Sequence, residues 1–126
     1  MIHDRHFSVA EANAAIAWVT PRIEAIREAR DRLAEPDAHS ALAESAPANG
    51  GGEEGRQVGE AFRDVRRLLV DLQATGIVLR DLDRGLVDFP ALRDGREVYL
   101  CWELGEDRVA YWHEIEGGFT GRQPLT

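Results

Sequence analysis

Three consecutive pieces decide the fold: Glu97-Val98-Tyr99-Leu100-Cys101-Trp102-Glu103-Leu104, then Gly105-Glu106-Asp107-Arg108, then Val109-Ala110-Tyr111-Trp112-His113-Glu114-Ile115. The flanking pieces are rich in β-branched and aromatic residues, and the middle one has turn chemistry. They read as two antiparallel strands of one hairpin. Upstream, a period of two marks Ile77–Leu82 and Leu86–Phe89 as shorter strands, the second ended by Pro90. The β-rich part therefore covers about 77–116, and the Gly-rich 117–126 reads as an irregular tail.

The hairpin register decides which side chains meet. A three-residue loop, with Leu104 opposite Arg108, sets Cys101 opposite Tyr111 and leaves His113 on the same face, diagonally about 7–8 Å away. A four-residue loop, with Leu104 opposite Val109, sets Cys101 opposite Trp112 and sends His113 to the other face. Only the first register permits a thiol–imidazole pair or a Cys/His metal site. Both registers stay open on the sequence.

Ahead of the strands the apolar period is helical. Val9, Ala12, Ile16, Val19, Ile23, Ile26 and Leu33 form one stripe over about 8–34, and Ser8 with Glu11 has the spacing of a capping box. Pro21 lies inside this helix, where a kink is expected because the stripe keeps its phase across it. Residues 35–55 lose periodicity and collect Pro, Ala, Ser and Gly, as a linker does. A formal G-x-G-x-x-G at Gly50, Gly52 and Gly55 lacks a preceding strand, and Glu53 and Glu54 oppose a pyrophosphate there. Val58, Phe62, Val65, Leu68, Leu69 and Leu72 define a second helix over about 56–75, with Gly76 just beyond its end. The expected fold is α+β in a single domain, 1–126: a long antiparallel helical hairpin, then a small, mostly antiparallel β-sheet.

Composition narrows the chemistry. The chain has 126 residues with 23 acidic and 15 basic side chains, all of the latter Arg, and a net charge of −8. Without Lys there is no Schiff-base chemistry and no Walker-type phosphate grip. One Cys excludes an internal disulfide and a multi-thiolate site within the chain. The acid excess, concentrated in 81–116, disfavours nucleic acid. No membrane span or signal-peptide pattern is read, so the expected location is cytoplasmic.

A specific motif string runs through the C-terminal half: Gly85-Leu86-Val87-Asp88-Phe89-Pro90, Gly95-Arg96-Glu97-Val98-Tyr99-Leu100-Cys101-Trp102, Gly105-Glu106, Tyr111-Trp112-His113-Glu114 and Gly118-Phe119-Thr120-Gly121-Arg122-Gln123-Pro124. Together with Phe7-Ser8-x-x-Glu11-Ala12-Asn13 near the start, it resembles a family of small bacterial proteins catalogued as domain of unknown function 2203. The resemblance implies a fold and a kinship, and supplies no activity.

The reactive residue types are Asp88, Arg96, Cys101, His113, Glu114 and Arg122. His113-Glu114 resembles half of H-E-x-x-H, but Gly117 stands where the second His belongs, and neighbours in a strand face opposite ways. Cys101 reads first as a small buried apolar side chain. Asp81-x-Asp83-x-Gly85 lacks the calcium-loop spacing and reads as turn acids. Arg96 and Arg122 are candidates for an anion clamp, or for ion pairs with Asp88 and Glu114. His3 and His6 reach a metal site with His113 or Glu114 only if the terminus folds back. Trp18 and Phe62 read as core or interface aromatics.

A first helix of about 40 Å, at about 1.5 Å per residue, outruns a seven-residue strand of about 23 Å. Its surplus apolar surface favours a non-enzymatic homodimeric binding or assembly module as the leading functional expectation. Two alternatives stand beside it: a small metal-binding protein or metalloenzyme using a divalent metal at His113 and Glu114, and a small-anion binder at Arg96 and Arg122.

Overall fold

The computed structural model describes residues 1–34 and 53–125. Helix α1 (Val9–Ala34) and helix α2 (Glu53–Thr75) are in contact and precede five antiparallel strands in the order β1-β2-β3-β4-β5. The strands are β1 (Val78–Asp81), β2 (Leu86–Arg93), β3 (Arg96–Glu103), β4 (Tyr111–Glu114) and β5 (Gln123–Pro124). The described residues divide into two compact units, one of 1–21 with 71–125 and the other of 22–34 with 53–70.

The capping box forms as read: Glu11 N–H donates to Ser8 Oγ at 3.0 Å, and Ser8 N–H donates back to Glu11 Oε1 at 2.9 Å. Pro21 sits within one continuous helix. In the second unit, Ile23, Ile26 and Ala29 of α1 and Ala61 of α2 are buried. Phe62 and Leu69 are not: they stand exposed beside Val70, whereas Val58, Val65 and Leu68 are half-buried and Leu72 is buried, so the inward stripe of α2 is narrower than the one read from the sequence. Helix α2 also starts earlier than expected, since 53–55 belong to it rather than to the linker. The remainder of that linker, with Gly50 and Gly52, lies outside the described residues.

In the first unit, one sheet face is largely apolar, with Arg96 and Glu114 at its end. Val87, Phe89, Val98, Leu100, Trp102 and Trp112 are buried there, and Phe7 packs edge-on against Phe89 with 5.3 Å between ring centres. Strand β2 does not stop at Pro90 but continues to Arg93. The pairing of β1 with β2 ends at Val78↔Asp88, so no β1 residue lies opposite Pro90. An extended residue presents its N and its C=O to the same edge. The Pro90 carbonyl accepts from Phe7 N–H at 2.7 Å, on the side away from β3, where a missing N–H costs nothing.

Arg93↔Arg96 closes the β2–β3 hairpin with Asp94 and Gly95 between, both at positive φ (53° and 77°) as a tight hairpin turn demands. The tail is not irregular throughout. Phe119–Gly121 forms a 3-10 turn, and Gln123–Pro124 adds β5 beside β4, an arrangement that satisfies backbone groups a free tail leaves to solvent.

Gly85 meets a second constraint besides its φ of 64°: a Cβ there falls 2.5 Å from the Leu104 Cβ. At Gly95 (φ 77°) an added Cβ meets nothing within 4 Å. Gly95→Ala should cost about 1–2 kcal/mol of backbone strain, and Gly85→Ala about 1–3 kcal/mol more from overpacking. Urea denaturation of the two variants checks the ordering; equal losses contradict it.

Candidate metal centre

The β3–β4 ladder pairs Cys101↔Tyr111, Leu100↔Trp112 and Tyr99↔His113, which is the register of the shorter-loop alternative. The tight loop itself does not form. Pairing stops at Cys101↔Tyr111, and other partners hold the wider connection. Trp102 Nε1–H donates to the Glu106 carbonyl at 3.0 Å, Glu103 N–H to Glu106 Oε1 at 2.6 Å, and Val109 N–H to Asn13 Oδ1 at 2.8 Å. On the other side, β2 pairs Asp88↔Cys101. Asp88, Cys101 and His113 therefore come from three neighbouring strands and point to one face, opposite the apolar one.

Their donor atoms lie within 4.8 Å of one another, and all three residues are buried, Asp88 and His113 to 2% exposure. The Asp88 carboxylate is shared: His113 Nε2 reaches Oδ1 at 3.0 Å, and Arg80 Nε–H donates to Oδ2 at 2.9 Å. The remaining His113 nitrogen, Nδ1, lies 2.7 Å from the Glu114 carbonyl. Both ring nitrogens thus face oxygen acceptors. Two protons satisfy that arrangement, and so does one proton on Nδ1 with a cation in place of the other at Nε2. The second form is the usual one for a ligating His, whose far nitrogen is tied to a backbone carbonyl.

Burial, with the Asp88 charge added to it, pushes the Cys101 thiol up to about 12. A nucleophilic cysteine needs the opposite shift. It also needs an imidazole turned toward its sulfur, and His113 spends its two nitrogens on Asp88 and the Glu114 backbone. The trio is poorly arranged as a nucleophile–base pair. As a mixed S/N/O donor set it suits a zinc-class ion. Bonds of about 2.0–2.3 Å would hold tetrahedral ligands roughly 3.3–3.8 Å apart, so the Asp88–His113 pair, now at 3.0 Å, would open slightly around such an ion. Thiol deprotonation accompanies such binding.

Arg80 escaped the sequence reading. An irregularity in the β1–β2 pairing between Leu79 and Asp81 places it beside Asp88 as a bulge residue. Burial works against its charge, yet the Asp88 carboxylate outweighs that and holds the guanidinium above its ordinary value. Its only sequence signal is alternation with Val78, which points to Asp88 only once the bulged register is known. Arg80 also lies over Tyr99, whose ring sits 5.4 Å from His113 and 5.3 Å from His3.

The other candidates go elsewhere. Glu114 faces away from His113, as alternation requires, and its carboxylate takes Arg96 at 2.7 Å. Arg122 pairs with Glu106 at 2.8 Å rather than with Asp88 or Glu114, and stacks over Tyr111 and Phe119. Five residues of β3, roughly 16 Å of strand, separate Arg96 from the Cys101 carbonyl that Arg122 approaches, so the two do not form an anion clamp. Asp81 caps the turn through the Arg84 N–H at 3.2 Å, as a turn acid. The terminus does fold back, onto different partners: His3 Nε2 hydrogen-bonds the Tyr99 hydroxyl at 2.6 Å, and His6 Nε2 meets Glu97 Oε2 at 2.8 Å.

The fold and this cluster define a small α+β protein with a buried Asp–Cys–His centre on its sheet. The chain belongs to the family described as "Uncharacterized conserved protein (DUF2203)", whose sequence model matches residues 5–125. No curated protein matches the chain, and no solved structure does. Among the described residues, no helix is long and apolar enough to cross a membrane.

Glu97 generates a pH prediction. His6, against a smaller opposing effect of burial, and then the His3 and Ile2 amides hold its carboxyl down at about 2. A depressed folded value contributes stability that is complete above the ordinary value of about 4.5 and lost as pH falls toward 2. Glu97→Gln should be less stable than the wild type at pH 6, with the difference vanishing near pH 2. Denaturation midpoints at pH 6, 4 and 2.5 check this, and a pH-independent difference contradicts it.

Proposed function

We propose that the protein is a non-enzymatic binding module holding one divalent zinc-class cation at Asp88, Cys101 and His113. The convergence of three different donor types within 4.8 Å on one buried face carries this reading. Hydrogen bonding supports it, since Nδ1 of His113 already has the backbone acceptor that fixes a ligating tautomer. The sequence expectation of a metal at His113 and Glu114 is revised: His113 stays, and Asp88 and Cys101 replace Glu114, which Arg96 occupies.

Tag-free protein purified without chelator should carry about one ion per chain, or take one up on titration with Zn²⁺. Free ion at a hundredfold excess over Kd should add about 2.7 kcal/mol of stability. Cys101→Ser and Asp88→Asn preserve shape and should lose that gain. A metal-free wild type whose melting temperature is unmoved by Zn²⁺, Mn²⁺ or Fe²⁺ overturns the reading.

We further propose a second copy of this chain as partner. Phe62 (49% exposed), Leu69 (40%) and Val70 (54%) stand on α2. Their seven- and eight-residue spacing forms one stripe, the pattern of a helix-to-helix seam. Sedimentation should show a dimer at micromolar concentration, dissociated in the Phe62→Glu, Leu69→Glu double variant. A strict monomer at high micromolar concentration contradicts this part.

A further inference from the structure

We infer that the cation at Asp88, Cys101 and His113 keeps one coordination position for an outside ligand, a small organic molecule with an anionic head and a short apolar body. The inference rests on the metal reading above and goes beyond it by assigning the occupant of the neighbouring cavity.

Geometry comes first. The three donors project from three adjacent strands of one sheet, so they approach an ion from the sheet side. Among the described residues, no further His, Cys, Asp or Glu atom joins the cluster. Zinc-class ions held by three protein ligands complete a tetrahedron with water or a bound molecule. Here the space for it exists: a cavity of about 320 Å³ is lined by all three donors and bounded beyond them by Arg80, Leu86, Ile115 and Phe119. That volume is at the small end of the range for small-molecule sites, about 300–1,000 Å³.

Charge selects the head group. A divalent ion with one carboxylate and one thiolate is neutral, and Arg80, paired to Asp88 but 42% exposed, adds a positive charge to the same wall. Glu116 also borders the cavity from an exposed position, where solvent screens its carboxylate. A carboxylate fits both the metal position and the guanidinium. The apolar lining, Leu86, Ile115 and Phe119, selects an apolar body. Phe119 is fixed there by two guanidinium groups, Arg84 at 3.9 Å and Arg122 at 4.7 Å from its ring centre, each anchored to its own carboxylate, Glu103 and Glu106.

The test uses the full chain loaded with Co²⁺, whose thiolate charge-transfer band reports binding at Cys101 and whose visible bands report coordination. Azide probes the open position, and benzoate probes the position and the cavity together. Both should shift the visible bands saturably. Phe119→Leu and Phe119→Ala should weaken benzoate by about tenfold, as loss of pocket contacts does, and leave azide unchanged. No charge-transfer band overturns the metal reading and this inference with it. A band whose visible spectrum neither anion moves means a closed site, which overturns the inference alone. A response to azide without one to benzoate overturns the assigned ligand class.

Discussion

The β2–β3–β4 register is the constraint on which the site depends. With Asp88 opposite Cys101 and Tyr99 opposite His113, a carboxylate, a thiol and an imidazole share one face of three adjacent strands. A slip of one residue sends an entire strand's side chains to the other face, exchanging Cys101 for Leu100 or Trp102. The apolar face resists such a slip, because Val98, Leu100 and Trp102 would leave the core together. The hydrophobic pattern that builds the sheet thus also fixes the donors. Asp94 and Gly95, both at positive φ, pin the same register from the turn.

Electrostatics explains why the polar face is tolerated. A buried carboxylate without partners is costly, and removing one side of a buried ion pair typically costs about 3–5 kcal/mol. Asp88 has partners on two sides, Arg80 and His113, which hold both of its oxygens. The elevated thiol beside them fits the same picture: one more negative charge is unwelcome unless a cation arrives with it. Elsewhere in the C-terminal part, carboxylates and guanidinium groups pair locally, Arg84 with Glu103, Arg122 with Glu106 and, on the opposite face, Arg96 with Glu114. The acidic excess of this region is partly absorbed in these pairs.

Much of the fold is legible from residue type and spacing. Ser8 with Glu11 fixes the start of α1, and the change of period after Gly76 separates helices from strands. Three of the six candidate residues, Asp88, Cys101 and His113, converge. Glu114, Arg96 and Arg122 do not join them, and strand alternation alone already separates Glu114 from His113. Other features were hidden for physical reasons. Pro90 obscured the length of β2, since proline ends a strand only where its N faces a paired neighbour. Arg80 depends on a bulge that periodicity does not reveal. β5 forms because Gln123 and Pro124 find an open edge of β4, a tertiary circumstance with little local signature.

The central claim is that one ion is held by sulfur, nitrogen and oxygen from three strands. Zinc K-edge X-ray absorption on tag-free protein with one equivalent of Zn²⁺ tests it most directly. The account predicts a first shell with one sulfur at about 2.3 Å and the remaining nitrogen and oxygen scatterers at about 2.0–2.2 Å. A first shell of nitrogen and oxygen alone, with no sulfur contribution, contradicts it.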